Sequence, residues 1–218
     1  MARSISWNIY IIALIISVLI FSVGILIGMQ VSQSATSSVQ AQLEELQSQT
    51  REFELLSLLQ ATYPDSSDEF CEYYFSQIDA FGEQTANFGK RLDFLEKKRG
   101  RTDTDVQDLK KEYSKMQLRD FLLLKQANEK CKKSIKTILY FYTNDNCPLC
   151  TQQGYVLSSL KESRPEVMIY SFDTDLKAPP VEAMLGIFQI KHMPSVVVNG
   201  KTQDGFKTAQ EISAALGD

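Results

Sequence analysis

Residues 135–151 read I-K-T-I-L-Y-F-Y-T-N-D-N-C-P-L-C-T, and few folds accommodate them. Ile138, Leu139, Tyr140, Phe141 and Tyr142 have the composition of a buried strand. A polar turn follows over Thr143, Asn144, Asp145 and Asn146, then Cys147-Pro148-Leu149-Cys150, then helical spacing through Tyr155, Val156 and Leu160. The spacing puts both sulfurs on one turn at a helix N-terminus, within disulfide reach. Pro148 suits the first helical position, where no N–H is needed. Unsatisfied N–H groups and the positive end of the helix dipole favour a thiolate on Cys147. The pattern points to a redox dithiol of Cys147 and Cys150, with Pro148 and Leu149 between them as candidate modulators.

The chain keeps this alternation of strand and helix to its end. Glu166 to Asp173 reads as a second strand, and Ala178 to Gln189 as a helix with Pro179 and Pro180 in its first turn. Asn199-Gly200, between Val196-Val197-Val198 and Lys201–Phe206, is a hairpin signal. Thr208 to Leu216 closes as a short amphipathic helix. The order is β-α-β-α-β-β-α.

With C-P-L-C on such a strand–helix junction and Met193-Pro194 opening the third strand, residues 135–218 resemble the thioredoxin superfamily. The resemblance implies an α/β thioredoxin-like domain in the minimal thioredoxin or glutaredoxin topology. It also implies a cis-proline at Pro194 beside the active disulfide, and main-chain pairing of Met193 with an extended substrate segment. Departures accompany it. Asn146 stands where thioredoxins carry an aromatic residue, and Phe141 stands near the place of a buried acid that relays the proton of the second cysteine. Asp145 is a candidate for that relay. His192, two residues before Pro194, is a candidate stabiliser of a nearby thiolate.

Upstream, Ile9 to Met29 is almost wholly apolar, and about 20 such residues span a bilayer as a helix. The run is longer than the core of a cleavable signal peptide, although Ser34-Ala35 is readable as a weak cleavage site. Residues 9–30 are therefore read as a retained transmembrane anchor, with Trp7 and Tyr10 at its interface. Arg3 precedes the span and no basic residue follows before Arg51. The expected topology is single-pass in the cell membrane, residues 1–8 cytoplasmic and the remainder extracytoplasmic.

Residues 31–134 read as a stalk of three antiparallel helices, at about 36–62, 67–98 and 103–133, packed like a coiled coil. Gly82 and Gly89 interrupt the second apolar stripe. Cys71 and Cys131 lie at nearly equal distances from the Gly100-Arg101 turn, which in a hairpin sets them at one height and permits a structural disulfide in an exported protein. Two buried free thiols are the alternative. The basic tip from Lys97 to Arg101 is a candidate lipid-headgroup contact or an ordinary solvated turn.

With a net charge of −4, nothing points to nucleic acid, and one histidine rules out a multi-histidine metal site. The expected function is thiol–disulfide exchange with exported cysteine-containing proteins. No cofactor beyond the redox-active Cys147–Cys150 pair and no metal is expected, and a membrane or soluble partner recycles the dithiol. A homo-oligomer through the stalk is a further expectation. The alternatives are a non-catalytic thioredoxin-like scaffold whose stalk drives oligomerisation or docking, and zinc held by all four cysteines.

Overall fold

A computed structural model of the chain describes residues 7–62 and 68–217. Helix α1 (Trp7–Thr62) runs unbroken through the apolar stretch and the first expected stalk helix. The chain divides into two units, Met1–Ala41 and Gln42–Asp218. In the first, Tyr10–Gly28 is a 19-residue apolar helical segment, none of it buried. By length and composition it can cross a membrane, a test that an N-terminal signal sequence also passes.

The second unit begins with the remainder of α1, whose buried stripe is Leu43, Leu46, Thr50, Phe53 and Ser57. Thr50 fills an apolar slot by turning its hydroxyl back to the Leu46 carbonyl at 2.8 Å. Helix α2 (Asp68–Arg99) supplies the matching stripe, and Phe53 packs edge-on against Tyr74 and Phe81. Helix α2 continues through both glycines, and each admits a close neighbour. A Cβ on Gly82 would stand 2.9 Å from the Met168 methyl, and one on Gly89 2.7 Å from the Tyr113 hydroxyl. Gly100, at φ +91, ends the helix, and Asp103 caps α3 (Thr104–Lys130) by accepting the Val106 N–H at 3.1 Å.

Four strands follow: β1 (Thr137–Tyr142), β2 (Met168–Asp173), β3 (Ser195–Val198) and β4 (Lys201–Asp204). They form a mixed sheet in the order β2-β1-β3-β4, with β1 parallel to β2 and antiparallel to β3. Strand alternation splits the core in two. Ile138, Tyr140, Val196 and Val198 pack with Leu157 and Leu160 of α4 (Pro148–Ser163) and with Ile212 and Leu216 of α6 (Ala209–Leu216). Leu139, Phe141, Tyr170, Phe172 and Val197 pack with Val181 and Met184 of α5 (Pro179–Ile187), and against Leu118 and Phe121 of α3.

This last contact changes the expected organisation. The sequence pattern assigns the third helix to a stalk apart from the globular end, whereas α3 lies against β2 and α5. It has two buried sides, one toward α2 and one toward the sheet, and so buries Ser114, Gln117 and Asp120 with its apolar residues. Both helical hairpin and sheet therefore belong to one packed body.

Candidate dithiol site and its cleft

Cys147 is the N-cap of α4 and Pro148 follows at its first position. The Cys147 Sγ accepts the Cys150 N–H at 3.2 Å, the geometry in which a helix terminus stabilises negative charge on sulfur. The two cysteines are joined, with Cα atoms 5.2 Å apart. Cys147 is partly exposed, whereas Cys150 is buried. One sulfur is thus reachable from solvent and its partner is sheltered. Leu149 presents an exposed apolar side chain between them. Asn146 adopts φ +48, a left-handed conformation that asparagine tolerates better than an aromatic or β-branched residue. Beneath the turn, the Tyr140 hydroxyl donates to the Cys150 carbonyl at 2.5 Å and its ring stacks on Tyr142. Burial raises both phenols well above their ordinary pKa, so both stay neutral.

The loop before the cysteines is held by groups that no short motif reveals. Asp173, buried at the end of β2, accepts the Asn144 amide and the Lys110 ammonium on one oxygen, each at 2.7 Å. Its other oxygen accepts the Asp175 N–H. Asp175 in turn accepts the Asn144 N–H at 2.7 Å and the Thr143 hydroxyl at 2.5 Å. From the turn between α2 and α3, Arg101 donates to the Asn144 carbonyl at 2.7 Å. Burial pulls the Lys110 ammonium down, but Asp173 and then Glu96 outweigh it and hold the pKa above the ordinary lysine value. Two cations of the basic tip are engaged within the protein, while Lys97 and Lys98 stay exposed. Arg101 binds the loop before the dithiol, and Arg99 pairs with Asp103 and Asp105.

The other sequence-expected residues fall as follows. The Met193–Pro194 peptide is cis. Ser195 pairs with Phe141 across antiparallel strands, so Pro194 lies at the sheet end from which β1 leads to Cys147. Pro194 is buried, and the Met193 side chain packs against the core on the α5 side. His192 is exposed, and its carbonyl accepts the Ser195 hydroxyl at 2.7 Å. No bond from its ring to the dithiol occurs among the described residues. Asp145 is exposed and Phe141 fully buried, facing away from Cys150 into the α3 and α5 side. Cys71 and Cys131 are joined, with Cα atoms 5.8 Å apart. Helix α2 runs from Cys71 to Arg99, about 42 Å, before the tip that touches the Asn144 loop, so the four cysteines do not converge on one ion.

Asp120 escaped sequence reasoning, although its position carried a signal. It sits four residues after Met116 and three before Leu123, on the apolar stripe. Its carboxylate accepts the Tyr170 hydroxyl at 2.7 Å, and burial raises its pKa to about 6. Gln153 is a second such residue, fully buried and bonded through both amide atoms to the main chain of Lys207.

The dithiol opens into a cleft of about 1430 Å³ bounded by α2 and α4 and floored by β1 and β2. Cys147, Cys150, Tyr142 and Ser171 line it.

No family model matches this chain, and no curated protein matches it. Among solved structures, a malarial protein is 19% identical, with a TM-score of 0.33, over 38% of this chain and 94% of its own. Thioredoxin-2, described as a component of the malaria parasite's protein secretion machinery, is 21% identical with the same TM-score, over 38% of this chain and 82% of its own.

Proposed function

We propose that this protein is a thiol–disulfide oxidoreductase with a thioredoxin-like domain, anchored by its N-terminal helix and working on the extracytoplasmic side of a membrane. The observation that carries the reading is the asymmetric cysteine pair. Cys147 is partly exposed at a helix N-terminus with its sulfur on a main-chain N–H, and Cys150 is buried one turn later. In the reduced protein, the Cys147 thiolate attacks one sulfur of a substrate disulfide. A mixed disulfide forms and the other substrate sulfur leaves as a thiolate. Cys150, deprotonated, then attacks the Cys147 sulfur and expels the second substrate thiolate. Two electrons pass from the protein dithiol to the substrate, and the reverse sequence oxidises a substrate dithiol. Substrates are cysteine-containing exported proteins, and a redox partner restores the dithiol.

Insulin-disulfide reduction by the full chain with dithiothreitol tests the reading. Wild type should accelerate insulin precipitation, Cys147→Ser should not, and Cys150→Ser should accumulate the mixed disulfide. A wild-type rate equal to that of Cys147→Ser would sink the proposal and leave the scaffold alternative. The reduction potential, set against that of thioredoxin, then assigns the direction of exchange.

A further inference from the structure

Strand β2 is the outer strand of the sheet, and it floors the cleft between α2 and α4. In a parallel pair, alternate residues turn both main-chain groups to the neighbouring strand, and those between turn theirs outward. The Met168 N–H donates to the Lys136 carbonyl at 3.0 Å, which gives Met168, Tyr170 and Phe172 to β1. Val167, Ile169 and Ser171 therefore face outward. Lys161 caps the Val167 carbonyl at 2.8 Å. The N–H and C=O of Ile169 and Ser171 have no further protein partner among the described residues, and both residues are partly exposed.

An open edge of this kind is a template for another strand, and proteins usually cover it or disrupt it with charge or proline. Here the two helices flank the edge without filling the space. The cleft exceeds the roughly 300–1000 Å³ of a small-molecule pocket. Small residues widen it, since a Cβ on Gly154 of α4 would meet nothing within 4 Å. Its lining carries seven carboxylates, Asp79, Glu83 and Glu162 among them, against the four cations Lys90, Arg101, Lys110 and Lys161, an excess that favours a cationic occupant. The same cleft reaches Cys147 and Cys150.

We propose that an extended, cysteine-bearing polypeptide segment with basic side chains adds to the outer edge of β2 as a fifth strand and so delivers its cysteine to Cys147. Main-chain bonds to Ile169 and Ser171 supply affinity independent of sequence, as in other strand additions, and the acidic lining supplies the bias in charge. The purpose of this contact rests on the oxidoreductase reading, but the binding is separable from the chemistry.

The probe is a fluorescein-labelled, lysine-containing peptide of about six residues, a typical strand length, with serine in place of its cysteine. Its anisotropy is followed with the full chain in uncharged phosphatidylcholine nanodiscs. Ser171→Pro removes one outward N–H at an edge position where proline is tolerated, and Gly154→Trp fills the cleft. Each variant, and main-chain N-methylation of the peptide, should weaken binding by about tenfold, the worth of one or two hydrogen bonds. Both variants should retain the wild-type far-UV circular dichroism, so that weakened binding reports the occupied strand edge rather than unfolding. No binding by wild type, unchanged binding by both variants, or equal binding of the N-methylated peptide would overturn the inference. Peptide binding without any disulfide exchange by wild type would refute the proposed function and leave the strand-edge site standing.

Discussion

Asp120→Asn is the perturbation whose outcome the structure sets most closely. Asp120 is 2% exposed, and its one hydrogen bond among the described residues comes from Tyr170. Burial raises its pKa from 3.8 to about 6, with the Tyr170 bond offsetting part of that rise. Each pKa unit corresponds to about 1.4 kcal/mol, so the displacement amounts to about 3 kcal/mol. The sign follows from proton uptake. Between pH 3.8 and about 6 the folded chain holds a proton on Asp120 that the unfolded chain has released, so stability contributed by this group falls as pH rises. The loss is complete above pH 6. Other carboxylates act oppositely, as hydrogen bonds lower Asp103, Glu166 and Glu211, so the useful quantity is the difference between wild type and Asp120→Asn. Urea unfolding of the detergent-solubilised chains, followed by far-UV circular dichroism from pH 3.5 to 7.5, should show that difference move by about 3 kcal/mol against wild type. Parallel pH profiles for the two proteins would refute the argument, and so would a displacement in the other direction.

Three further outcomes follow from named contacts. Removing the Cys71–Cys131 bridge by Cys71→Ser with Cys131→Ser should cost about 4 kcal/mol on the chain-entropy model for its 60-residue loop, read by urea unfolding. Lys110→Met leaves the buried Asp173 carboxylate without its cation, so urea unfolding should show a loss of about 3 kcal/mol. The same change should slow exchange at Cys147 by releasing the Asn144 loop, a result absent if Asp173 merely fills space. Gly154→Ala, with open space for its methyl inside α4, should raise stability by about 0.5–1 kcal/mol in thermal unfolding.

Much of the local structure was legible because it depends on neighbours along the chain. Asn199-Gly200 marks the turn between β3 and β4, and Gly200 takes φ +81 there. Thr208 and Glu211 form the capping box that starts α6. The equal spacing of Cys71 and Cys131 from Gly100 follows from helical rise alone. The Lys110–Asp173 and Asp120–Tyr170 pairs were not legible, since their partners lie 63 and 50 residues apart. A carboxylate on an apolar stripe reads the same whether it faces water or a tyrosine.

The sequence by itself determined the alternation of strand and helix from Thr137 onward and that a dithiol occupies a helix N-terminus. Those outcomes follow from backbone sterics, capping and periodicity, all of which act within a few residues. Only the tertiary structure decided that α3 is buried on two sides, that the hairpin tip grips the loop before Cys147, and that a strand edge lies open in a cleft beside it. Such arrangements arise when distant surfaces exclude water together, and a hydrophobic stripe specifies burial without specifying against what.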